Sequence, residues 1–147
     1  MTTKLILAFL SISIPLTVGC GEPLIQVSGS VLVDGKPAEG AVVLFHPDGN
    51  DIGTVSSAVA GPDGKIAPVT DMKPGMLAGD YRVTVTWTGP PKPSKGNSPF
   101  WGMGNDADLP DKLKGKYVSK EKSGLTATVE SSTLELQPFE LTTNSKR

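Results

Sequence analysis

From Val27 onward, apolar and polar residues alternate with a period of two, and no segment there holds the 3.6-residue period of an amphipathic helix. In DYRVTVTW, residues 80–87, Tyr81, Val83, Val85 and Trp87 fall on one side while Arg82, Thr84 and Thr86 fall on the other, which predicts a half-buried strand. QVSGSVLV repeats the alternation through Val27, Val31 and Val33. Gly29 shares their face, predicting a bulge or a close approach of neighbouring chain. AVVLF, residues 41–45, is apolar throughout and too short for a stable helix, so it predicts a central strand. TVSSAVA, KIAPV, GLTATV and STLELQPFEL bring the set to about seven. Pro68 and Pro138 have no N–H to give to a ladder, which assigns their strands to edges or bulged segments.

Turn chemistry separates these runs. Asp34-Gly35, Pro62-Asp63-Gly64 and Ala78-Gly79-Asp80 combine glycine, which accepts positive φ, with proline, which presets φ, and aspartate, which bonds its own backbone. Short strands at close spacing predict an all-β fold, an antiparallel two-sheet sandwich of immunoglobulin-like layout, with an open barrel as the alternative.

The first 20 residues follow another rule. MTTK carries a positive charge at Lys4, LILAFLSISIPL is an apolar run, and TVG brings small residues up to Cys20. This is the layout of a signal peptide over residues 1–19, a helix ahead of the sandwich. The apolar run has 12 residues, against about 20 for a transmembrane helix. Cys20 is the chain's single cysteine, which excludes an intrachain disulfide. LTVGC resembles the lipobox of bacterial lipoproteins, although Thr17 stands where leucine is usual and Leu16 sits one place back. The resemblance implies cleavage after Gly19, acylation of Cys20 by lipid chains such as palmitate, and an exported product anchored to a membrane of the cell envelope. Residues 20–26 would form a short tether, 27–141 the sandwich and 142–147 a tail.

A second resemblance covers most of residues 27–141. VSGSVLVDGKPAEGAVVLFHPDG, AGPDGKI and LAGDYRVTVTW, followed by LPDKLKGKYVSKEKSGLTATVE, resemble the carboxypeptidase regulatory-like, transthyretin-like domain in the small-lipoprotein form of planctomycete bacteria. Membership implies a fold and a location but no reaction.

Composition narrows the chemistry. The net charge of -1 gives no field for nucleic acid. Aromatic residues make up 5%, so the core must be mainly aliphatic. His46 is the one histidine, too few for a two-histidine metal site; its position in FHPDG predicts a local hydrogen bond within that turn. The enzymes known on related folds, 5-hydroxyisourate hydrolase and the intradiol dioxygenases, rely on two or more histidines, and a non-catalytic protein without cofactor or metal is expected. Asp106, Asp108 and Asp111 lack the ligand spacing of a calcium loop, and the lysines of KLKGKYVSKEK predict a solvated face. The remaining place for function is the long loop 88–123. There Phe100, Trp101 and Tyr117 would form a stacking platform for a glycan or a peptide if presented together; the alternative has Phe100 and Trp101 covering an open end of the sandwich. The expected partners are therefore membrane lipid through Cys20 and other envelope proteins or glycans.

Overall fold

The computed structural model describes residues 22–49, 54–90 and 109–143. The leader with its expected helix, Cys20, Phe100 and Trp101 lie outside them. The described residues form strands and no helix: β1 (Gly29–Val33), β2 (Lys36–Pro37), β3 (Val42–Pro47), β4 (Ser56–Val59), β5 (Lys65–Ile66), β6 (Val69–Thr70), β7 (Lys73–Pro74), β8 (Gly79–Thr86), β9 (Leu125–Val129) and β10 (Phe139–Leu141). They make two sheets. One has four strands, in the order β10-β1-β2 with β5 on the first residues of β1; the other has six, in the order β7-β6-β4-β3-β8-β9.

Three features depart from the pattern read in the sequence. KIAPV is two strands rather than one: β5 pairs with β1, β6 pairs with β4, and the buried Pro68 stands at the crossover between sheets. Lys36–Pro37 and Lys73–Pro74 are short strands that no alternation marks. Third, β1 and β10 run parallel, with Val31 opposite Phe139 and Val33 opposite Leu141, so the smaller sheet is mixed. Parallel pairing needs a long crossover, and here the body of the domain supplies it.

The predicted central strand is central. β3 pairs with β4 on one side and with β8 on the other, and Val43 and Phe45 are fully buried between the sheets. On β1, Val31 and Val33 point inward with Val27 before them, as the alternation requires. Gly29 is the close approach: a Cβ there would lie 3.3 Å from Ile66 Cγ1 and 3.4 Å from Leu136 Cβ. On β4 the small residues Ser56 and Ala58 face inward, and Val59, of opposite parity, is exposed. Ser56 Oγ and Thr70 Oγ1 meet at 2.7 Å, and Thr70 Oγ1 donates to the Gly75 carbonyl at 2.7 Å, so the buried hydroxyls are satisfied.

Aromatic rings join the layers. Phe45 of the larger sheet meets Phe139 of the smaller sheet edge-on, with centroids 6.0 Å apart, and Tyr81 at 6.3 Å. The Tyr81 hydroxyl donates to the carbonyl of Leu77 at 2.8 Å. A tyrosine at the start of a strand, bonded to backbone a few residues upstream, is the corner device of Greek-key sandwiches.

The body also begins earlier than Val27. Ile25 and Met76 exchange both backbone bonds, at 2.7 and 2.9 Å, which clasps the entering chain beside β7. Residues 25 and 26, expected in the tether, belong to the folded unit.

Candidate functional site

The second half of the expected long loop is packed structure. After β8, the chain returns at Leu109 and turns back along the end of that strand. Lys112 N donates to the Trp87 carbonyl at 2.8 Å, and Val85 N donates to the Tyr117 carbonyl at 2.9 Å. Leu113 and Tyr117 enter the core. Asp111 secures this return. Its Oδ1 accepts from Trp87 N (3.0 Å) and Leu113 N (3.1 Å), and its Oδ2 accepts from Gly115 N (2.8 Å). A carboxylate holding three backbone donors acts as a staple, much as a capping aspartate does at a helix start. Asp106 and Asp108 lie outside the described residues. Among the described residues no group of three or more histidine, cysteine or acidic side chains is set to hold a metal ion.

Trp87 is held on three sides. Its Nε1 donates to the Glu39 carbonyl at 2.9 Å, its backbone joins Asp111 and Lys112, and Lys112 Nζ stands 5.0 Å from the ring centroid. Such a cation–π contact contributes about 0.5–1 kcal/mol at an exposed site.

Tyr117, one of the three rings of the expected platform, is 6% exposed. Its hydroxyl accepts from Thr142 N at 3.2 Å, and Lys116 Nζ lies 5.0 Å from its ring centroid. Burial alone pushes the phenol up, but the hydrogen bonds to Thr142 and the Lys116 ammonium outweigh it and bring its pKa below the ordinary value. The ring is core and offers no open stacking face. Phe100 and Trp101 lie outside the described residues.

His46 sits on β3, half-buried, with Nε2 3.0 Å from Thr84 Oγ1 on the neighbouring β8. The expected bond within its own Pro-Asp-Gly turn is replaced by this cross-strand one, and it explains why Thr84, expected outward with Arg82, is buried. Asp48 of that turn instead pairs with Arg82 Nε at 3.1 Å.

Clefts indent the described surface, two of them away from His46. The larger, about 350 Å³, runs between β9 and the segment leading into β10, with Thr126, Thr128 and Thr133 on its walls and Leu136 and Phe139 beneath. The smaller, about 280 Å³, lies where Val27 and Ser28 pass Pro68 and Gly75. Neither lining contains a histidine, cysteine or lysine. Pattern reading missed the larger cleft, because its walls are 10 residues apart in sequence at Thr126 and Leu136 and meet only through the sheet topology. Compared with known proteins, the chain matches no family model, no curated protein and no solved structure.

Proposed function

We propose that this chain is an exported lipoprotein of the bacterial cell envelope: a non-catalytic sandwich of the transthyretin-like, carboxypeptidase regulatory-like type, tethered through acylated Cys20 and acting by surface interactions. The observation that carries the reading is the clasp between Ile25 and Met76. It places folded structure five residues after Cys20, a span of at most roughly 18 Å at 3.3–3.6 Å per residue. A domain so placed is held against the lipid surface by its Gly75–Met76 end. Each buried methylene of an acyl chain contributes about 0.8 kcal/mol, so two or three chains suffice for a durable anchor. A structural role for His46 fits its ring nitrogen being engaged with Thr84.

Mass spectrometry of the mature protein tests this. The expected product lacks residues 1–19 and carries acyl groups on Cys20, and Cys20→Ser shifts the protein from the membrane fraction to the soluble fraction. A free thiol on a soluble wild-type product would refute the proposal.

A further inference from the structure

The sheet edges of this protein are not treated alike. β2 and β7 are two-residue Lys-Pro strands, β5 is the two residues Lys65–Ile66, and β10 is three residues long with Glu140 exposed and Pro138 just before it. Short length, lysine and proline are the devices by which proteins keep an edge from recruiting another strand. β9 has none of them. It is Leu-Thr-Ala-Thr-Val, five residues without charge or proline, paired along its whole length with β8 and, among the described residues, ending the sheet on its other side. In an antiparallel edge strand, alternate residues direct their N–H and C=O away from the sheet. On β9 that open side borders the 350 Å³ cleft.

We propose that β9 is a docking edge for an extended peptide segment of a partner protein, which adds to the six-stranded sheet and lays alternate side chains into the cleft. Backbone pairing supplies affinity and the cleft supplies selectivity, the mode known as strand addition. The outward Thr126 and Thr128 are short, β-branched and suited to cross-strand pairs. Charge sets the kind of partner. Glu135 is the one charged residue of the lining, and Glu130 and Asp80 flank it, the latter accepting from Thr128 Oγ1 at 2.6 Å. Arg82, opposite Thr126 on β8, is tied to Asp48. A segment carrying lysine or arginine is therefore favoured. A second copy would bring these carboxylates against their own counterparts, which disfavours self-pairing. The inference deepens the interaction role proposed above but does not depend on the anchor.

The test uses the protein as isolated from cells, in detergent micelles, screened against a displayed library of random octapeptides. Selected peptides should be enriched in Lys and Arg and slow amide exchange across Leu125–Val129. Their affinity should fall at least tenfold in Thr126→Lys, which gives β9 a lysine such as β2, β5 and β7 carry, and in Gln137→Arg on the opposite wall; both positions are exposed, so the fold is retained. Absence of any selected binder, slowed exchange elsewhere, or equal binding by both variants would overturn the proposal. So would concentration-dependent protection of β9 without peptide, which would assign the edge to a second copy. Acylation of Cys20 is read separately by mass, so failure of the anchor is distinguishable from failure of the edge.

Discussion

At Gly64 the backbone has φ +74°, and a Cβ built there would stand 2.7 Å from the Val31 carbonyl oxygen and 3.1 Å from Cα of Pro37. Both obstacles are backbone, in the β1–β2 hairpin, and neither can swing aside. Left-handed φ costs an L-residue about 1–2 kcal/mol and forced overpacking adds about 1–3; Gly64→Ala should therefore destabilise the fold by about 2–5 kcal/mol in urea unfolding. Tyr81 gives a pH-dependent counterpart. Burial raises its pKa above the ordinary 10.0, whereas in the unfolded chain the phenol ionises near that value. The folded state thus holds the proton longer, and the stability this contributes is complete below pH 10 and lost as pH rises beyond it. Tyr81→Phe removes the bond to the Leu77 carbonyl, at about 1 kcal/mol near neutrality. Its deficit against wild type should narrow above pH 10, because the variant lacks the ionising group. Alkaline denaturant titrations of both proteins check this, with Tyr117 common to the two and cancelling.

At the scale of elements, Asp111 decides whether residues 109–123 belong to the domain. Asp111→Ala leaves three backbone donors without their carboxylate; charge-assisted bonds of this kind contribute about 1.5–3 kcal/mol. The expected result is a loss of about 2–3 kcal/mol, with hydrogen exchange rising first at Lys112–Tyr117. The longer strands were legible in the sequence: β1, β8 and β9 stand where their alternation puts them and β3 where its unbroken apolar run does, whereas of the alternating STLELQPFEL only Phe139–Leu141 is a strand. The Lys-Pro strands were not legible, since two residues carry no period. Nor was the parallel pairing of β1 with β10, which is set by contacts between opposite ends of the chain. At the candidate site, LAGDY predicts the turn before β8, while the Tyr81–Leu77 bond within it went unread. Pattern gave Tyr117 as a possible platform ring; its Thr142 partner, 25 positions on, shows why it is core instead.

For the whole molecule, cohesion depends on how the two sheets are joined. Phe45 is fully buried at the centre of the larger sheet and touches Tyr81 and, across the layer, Phe139. Phe45→Ala should cost about 3–5 kcal/mol, seen as a lower urea midpoint with the slope unchanged. The covalent ends add a different kind of cohesion. The chain enters through the Ile25–Met76 clasp and β1, and leaves through β10, which lies alongside β1 in the same direction. Ends that exit from parallel neighbours point opposite ways, so a tug between the entry at β1 and the exit at β10 would load the β1–β10 bonds sideways and all at once, as in a lap joint, instead of unzipping them singly. Were the anchor proposed for Cys20 to fasten the entering end, this pairing would set the body to bear tension along its length.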